Sequence, residues 1–388
     1  HRFLAIPTFL LILLVIFWLT FGVLGQALSG VMEGLIALAT DGMAALLLNI
    51  GASELVRSLV IDGIFAGVGS VLSFLPTILI LFFFLSVLED TGYMARVAFV
   101  MDKLLRKIGL SGRSFVPMII GFGCSVPAIM ATRTLSSDRD RKMTMLIVPF
   151  MSCSAKLPIY AMITDIFFAE HKALVMIALY VTGMVVGVLY GLCFKNIFKA
   201  ESMPFVMELP AYRFPSARNV GLHMWERAKD FIKKAFTIIF FATIIIWVLQ
   251  TFNTRFVPVS DGSQSMLGII GAAVAPVFAP LGFGDWRVST ALITGLTAKE
   301  AVVSTLTVLV GANGAESLAA VMQGMLSPLA AFSFLVFTLL YMPCVAAMAA
   351  IKRELNSFFG ALAAMATQTG IAWLVSFAVY NIGLALGL

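Results

Sequence analysis

Uninterrupted apolar stretches of about twenty residues constrain this chain more than any other feature, because a helix of that length crosses the hydrocarbon of a bilayer. Residues 3–28, which begin beside Arg2, hold no charged side chain. Further candidates are Val71–Leu88, Met143–Phe168, Ala173–Phe194, Ala235–Gln250, Trp286–Gly311, Pro328–Ile351 and Phe358–Ile382. Of the 388 residues, 61% are hydrophobic and 12% charged, with a mean hydropathy of +1.02. A soluble domain would carry roughly 25% charged residues. The expected fold class is therefore all-α, a polytopic membrane helical bundle in contact with the lipid bilayer. It has eight or nine membrane segments, depending on how the interrupted ones and Met266–Leu281 are counted. Residues 30–62 carry Glu33, Asp41, Glu54, Arg57 and Asp62 among Ala, Leu and Ile, and read as an amphipathic stretch at an interface or packed on the bundle.

The net charge is +6. Its basic residues fall in short loops with no basic, aromatic-interleaved face, which excludes nucleic acid as a partner. The four cysteines, Cys124, Cys153, Cys193 and Cys344, lie in apolar segments without C-x-x-C spacing, so no disulfide framework is expected. His1, His171 and His223 lie near predicted ends or loops, which argues against a histidine-built metal site. The first residue is His1 rather than Met, which reads as a fragment or a trimmed chain. No G-x-x-x-x-G-K-[ST] loop occurs, so a nucleotide-driven step belongs to a segment outside this chain.

Two apolar stretches are interrupted. Gly121–Arg133 reads GFGCSVPAIMATR, and Pro149–Pro158 reads PFMSCSAKLP. Broken backbone in lipid leaves N–H and C=O groups without partners, so it is tolerated only where protein or a water-filled cavity surrounds it. Basic loops flank the first interruption on both sides, Arg96–Arg113 before it and Arg133–Lys142 after it. Because Lys and Arg concentrate in cytoplasmic loops, Ser114–Thr132 is expected to enter the membrane and return. Lys195–Lys234 reads as a basic cytoplasmic linker, and Asn253–Ser265 as a polar external loop.

The interruptions recur. Arg113 and Gly121 lie 174 residues before Arg287 and Gly295, which sets GFGCSVPAIMAT opposite GLTAKEAVVSTL. Met151–Cys153 corresponds to Met342–Cys344 at an offset of 191. The first half carries a basic loop between its matched segments; the second carries GANGAES, without Lys or Arg. That asymmetry predicts repeats of opposite orientation, and paired interrupted segments point to a transporter's midplane site.

The breaks supply Cys124, Ser125, Ser152, Cys153 and, in the second half, Lys299, Glu300 and Cys344. Thiol, carboxylate and free carbonyl form a mixed soft and hard set that suits a divalent first-row metal better than Mg²⁺ or Ca²⁺. No four-ligand motif forms a closed zinc site. Glu300 is a candidate because an intramembrane carboxylate is costly. Lys156, Lys299, Glu89 and Asp90 are candidate gating or neutralising charges, with a solvated helix end as the alternative for the acidic pair. Met130, Met151 and Met342 are candidate weak soft ligands, and Cys193 reads as packing.

At these residues the sequence closely resembles the membrane part of the FeoB family, the bacterial ferrous-iron uptake permeases. The matching pieces are HRFLAIP from His1, EDTGYMAR from Glu89, the two interruptions, AKEAVV from Ala298 and PCVAAMA from Pro343. The resemblance implies two gate regions of opposite orientation and Fe²⁺ as the transported substrate, with no tightly bound cofactor. It implies that the gate cysteines contact the metal. It also implies a bacterial inner-membrane location, an N-terminal GTP-binding domain on the cytoplasmic side, and small accessory proteins as partners; a homo-oligomer is compatible with it. The expected organisation is a first transmembrane helix and amphipathic segment over 1–62, gate repeat 1 over 63–200, a linker over 201–233 and gate repeat 2 over 234–388. Two positions depart from the family's usual pattern: Ser125 stands where Asn is common, and Lys156 where Arg is common. Two other readings stay open: a gate-fold permease for a nucleoside-like solute, and a membrane anchor or receptor for a GTPase that moves nothing. An intramembrane enzyme is disfavoured, because no Ser/His pair or twin Asp lies in facing spans.

Overall fold

The computed structural model describes residues 2–195, 214–259, 261–310 and 315–387. Among these the chain is helical almost throughout, and the sole β-type pairing is an isolated bridge between Phe252 and Pro258. The helices are α1 (Arg2–Phe17), α2 (Leu24–Asn49), α3 (Glu54–Ser58), α4 (Ala66–Asp90), α5 (Tyr93–Leu105), α6 (Phe115–Gly123), α7 (Ser125–Ala131), α8 (Asp138–Ile147) and α9 (Leu157–Phe167). They continue as α10 (Lys172–Phe194), α11 (Ala217–Thr251), α12 (Met266–Phe278), α13 (Trp286–Thr294), α14 (Ala301–Val310), α15 (Ala315–Met325), α16 (Pro328–Leu340), α17 (Val345–Leu355) and α18 (Phe358–Ala385).

Five helical stretches among the described residues are long and apolar enough to cross a membrane, or up to seven if each sharply bent pair is one span. The eight or nine segments expected include shorter apolar helices, such as Phe240–Thr251 and Ala301–Val310, that this length criterion leaves out. One bent pair joins Leu75–Asp90 to Tyr93–Ile108 at 82°, and the other joins Met266–Leu281 to Trp286–Thr294 at 105°. A left-handed glycine marks each bend: Gly92 (φ 74) and Gly282 (φ 90), a conformation that costs glycine little.

Two helices run on past boundaries drawn from the sequence. No break separates a first membrane helix from an amphipathic stretch at Gly30: α1 runs into α2 through one π-helical segment, Trp18–Val23, giving a candidate span over Pro7–Asn49. An isolated glycine costs a helix about 1 kcal/mol but does not end it. The linker expected over 201–233 is helical from Ala217 onward, continuous with the apolar turns of α11; its residues 201–213 lie outside the described ones.

The chain divides into two compact units, His1–Met145 with Gly191–Ile244, and Leu146–Tyr190 with Ile245–Leu388. In the first, Phe9, Val97 and Ile119 pack into one cluster and Ile16, Leu88 and Met94 into another. In the second, α16 is hydrophobic nearly all round and buried along most of its length, as a core helix should be. Phe278, Phe283, Phe334, Phe337 and Tyr341 stack around it with ring centroids 5.1–5.9 Å apart. Ser333 and Ser376 tie α16 to α18 by donating reciprocally to each other's carbonyls at 3.3 and 3.2 Å.

The duplication extends past the matched residues. Helix α5 corresponds to α12; a short 3₁₀ turn follows each (Arg106–Ile108 and Ala279–Leu281), then a left-handed glycine, Gly109 (φ 83) or Gly282 (φ 90). The broken pair α6–α7 corresponds to α13–α14, and the span α8–α9 to α16–α17.

Candidate functional site

In the second unit three interruptions meet. The first, Met151–Cys153, is extended between a 3₁₀ turn and α9, with Cys153 at φ −81, ψ 161. The second, Gly295–Glu300, separates α13 from α14. The third, Tyr341–Cys344, separates α16 from α17, with Tyr341 at φ −66, ψ 163 and Cys344 at φ −60, ψ 157. A hydrogen bond of 2.7 Å from the Val345 N–H to the Leu296 carbonyl ties the second to the third.

Each break frees carbonyls that a continuous helix would have used, and two buried lysines take them. Lys156, 2% exposed, donates from Nζ to the Leu339 carbonyl at 2.6 Å and the Pro149 carbonyl at 3.3 Å. Lys299, also 2% exposed, donates to the Met342 carbonyl at 2.8 Å and lies 3.1 Å from the centroid of the Tyr341 ring. The cationic ends thus sit at the C-terminal end of α16, where the helix dipole favours positive charge, and over an aromatic face. Cys153 and Cys344 lie within electrostatic range of both lysines, and Glu300 within range of Cys344. Glu300 is half-buried and is not a partner of the neighbouring Lys299, as expected for adjacent residues that point apart. Ser152, buried, hydrogen-bonds to the Tyr160 hydroxyl at 3.1 Å.

The structure therefore brings together six residues singled out from the sequence: Ser152, Cys153, Lys156, Lys299, Glu300 and Cys344. It adds Tyr160, Tyr180 and Tyr341, which sequence reasoning passed over. Tyr341 adjoins the Met-Pro-Cys break, and that adjacency was the available signal. Met151 is buried and Met342 half-buried beside the thiols.

Cys124, Ser125, Glu89 and Asp90 belong to the first unit. Cys124 is one extended residue (φ −152, ψ 131) between α6 and α7, and its N–H closes the last turn of α6 on the Ile120 carbonyl at 3.0 Å. Ser125 is buried as the first residue of α7. Gly123 lies in close approach to α4: a Cβ there would meet the end of the Leu81 side chain, which would have to shift. Ile120, Val126, Pro127 and Met130, on both sides of the break, line a cavity of about 620 Å³ to which Glu89, Arg133, Glu226 and Lys229 also contribute. Asp90 accepts from the Ser216 N–H at 2.7 Å, just before α11 begins. None of the four cysteines forms a disulfide; Cys193 is exposed near the end of α10, not packed as expected. Among the described residues no three His, Cys, Asp or Glu side chains gather to hold a metal ion.

A family model described as "Gate: Nucleoside recognition" matches residues 71–167 and 232–358, more than half of the chain. A second, described as "Ferrous iron transport protein B C terminus", matches residues 176–227. The chain belongs to the FeoB family. The Fe(2+) transporter FeoB of Staphylococcus aureus (strain COL) is 42% identical over 385 residues, covering 99% of this chain and 58% of the relative. FeoB of Methanocaldococcus jannaschii is 40% identical over 340 residues, covering 86% of this chain and 50% of the relative. The Fe(2+) transport protein A/Fe(2+) transporter FeoB fusion protein of Porphyromonas gingivalis is 39% identical over 433 residues, covering 99% of this chain and 50% of the relative. The chain thus spans half to three fifths of the length of these FeoB relatives. No solved structure matches it. Both gate matches include the interruptions, so the breaks are part of what this chain shares with the family.

Proposed function

We propose that this chain is the permease part of a ferrous-iron uptake protein in a bacterial-type inner membrane. It moves Fe²⁺ inward and carries out no catalysis itself. It works with a GTP-binding domain and small accessory proteins; the fusion relative, whose name joins transport protein A to FeoB, supports the latter association. The observation that carries this reading is the meeting of three backbone breaks, two thiols and a carboxylate in the second unit of a FeoB-family chain. Thiol sulfur and carbonyl oxygen together suit a borderline divalent cation, and an open set of donors lets a transported ion leave as well as enter. Cys153 and Cys344 are the proposed soft contacts, with Glu300 and Ser152 beside them. Cys124 and Ser125 are the corresponding contacts at the break of the first unit. Glu89 and Asp90 are gating charges at the close of α4.

The "nucleoside recognition" description of the gate model favours a second reading, a permease for a nucleoside-like solute. Uptake in cells carrying the full-length protein separates the two. Radiolabelled Fe²⁺ should enter, and its entry should be indifferent to a millimolar excess of nucleosides. Nucleoside entry without Fe²⁺ entry would establish the second reading and remove the first.

A further inference from the structure

We propose that the main-chain carbonyls of Pro149, Leu339 and Met342 form a cation-binding cluster that the ammonium groups of Lys156 and Lys299 occupy at rest, so that a transported metal ion enters by displacing them. This rests on the permease reading and adds an occupant that competes with the substrate. Among the described residues, the partners of the two Nζ atoms are carbonyl oxygens and the Tyr341 ring face, with no carboxylate. Carbonyl lone pairs, the Tyr341 π-face and the C-terminal end of α16 each turn a negative end toward these nitrogens. Such an environment is built for positive charge, and a desolvated metal ion would seek the same atoms. A structural lysine buried this deeply would be expected to pair with an acid, because an unpaired buried charge is costly. Glu300 is adjacent in sequence and is not used for that purpose.

The two lysines also lie within electrostatic range of each other. Like charges repel inside a protein, where solvent screening is weak. A divalent ion arriving at the thiols would increase that repulsion and favour withdrawal of a lysine. The four-carbon stem of lysine ends in a compact charge that can reorient, unlike a planar guanidinium fork. Occupation by lysine keeps the freed carbonyls satisfied when no substrate is present, and displacement exposes them only when an ion is there to take them.

The test is equilibrium binding of Mn²⁺ and Co²⁺ to purified full-length protein, wild type against Lys299→Leu and Lys156→Leu. Leucine fills apolar space and removes both the charge and the donor without adding a metal ligand. Displacement predicts divalent affinity at least tenfold tighter in the Leu variants, since a like charge leaves the site, and unchanged or weaker in Lys299→Arg. Lysines that only staple the breaks predict a lower unfolding temperature with no gain in affinity, and that result would overturn the proposal. If the Leu variants do not fold, metal-dependent labelling of the wild type by a small amine-reactive reagent decides. Labelling of Lys156 or Lys299 should rise when Mn²⁺ is added, and equal labelling with and without metal would overturn displacement. Wild-type protein that binds no divalent ion would remove the permease reading and this proposal together; wild-type binding with no gain in the variants removes displacement alone.

Discussion

At the scale of single residues, buried polar side chains of the second unit account for the backbone that its breaks expose. Lys156 and Lys299 do this, and beside them the Ser152 hydroxyl meets the Tyr160 hydroxyl at 3.1 Å inside the protein, side chain to side chain. Losing this bond from either side, by Ser152→Ala or Tyr160→Phe, should cost about 1 kcal/mol each and the pair less than the sum. A double-mutant cycle of unfolding temperatures in detergent measures this, and strict additivity would show that the bond contributes nothing. Gly295 is held by space: a Cβ there would come 2.8 Å from the Tyr341 hydroxyl and closer still to Val302. Gly295→Val should destabilise the protein by about 1–3 kcal/mol through overpacking and shift Tyr341 from beneath Lys299. A neutral thermal melt would contradict this packing. The residues with chemistry were legible because thiols, lysines and a carboxylate stand out in an apolar sequence. Their partners were not, because a main-chain carbonyl has no letter: nothing in the sequence couples Lys156 to Leu339, 183 residues away.

At the scale of elements, the breaks were legible from composition and the helix ends were not. Gly-Phe-Gly-Cys and Met-Ser-Cys announced interruptions, and the structure has extended residues at both, with half-helices on either side. The continuity of α1 with α2, and of the basic run with α11, was not visible. Charge and isolated glycines mark exposure more reliably than they mark a helix end. Where a glycine does decide packing, the effect can be tested across two elements. Gly123→Val should force α6 off Leu81 of α4, costing about 1–3 kcal/mol. Adding Leu81→Ala should restore part of that loss by opening room. A double variant no more stable than Gly123→Val alone would place the strain elsewhere.

At the scale of the whole molecule, membrane insertion and duplication followed from hydropathy and from an offset of 174 residues. The structure extends that duplication to the 3₁₀ turn and left-handed glycine that follow both α5 and α12. The number of membrane segments depends on how the interrupted stretches are counted, because a hydropathy reading treats a half-helix and a full helix alike. The division into two compact units, each assembled from two separate pieces of chain with one boundary at Met145/Leu146 inside the first repeat, has no compositional mark. The central claim is that the thiols at the second unit's breaks lie on the path of a ferrous ion. The most direct measurement is anaerobic Fe²⁺ flux into proteoliposomes holding the full-length protein, wild type against Cys153→Ser with Cys344→Ser at equal reconstitution. The account predicts flux in the wild type and a loss of at least tenfold in the double variant, about 1.4 kcal/mol on the transport barrier. Equal flux in the two would contradict it.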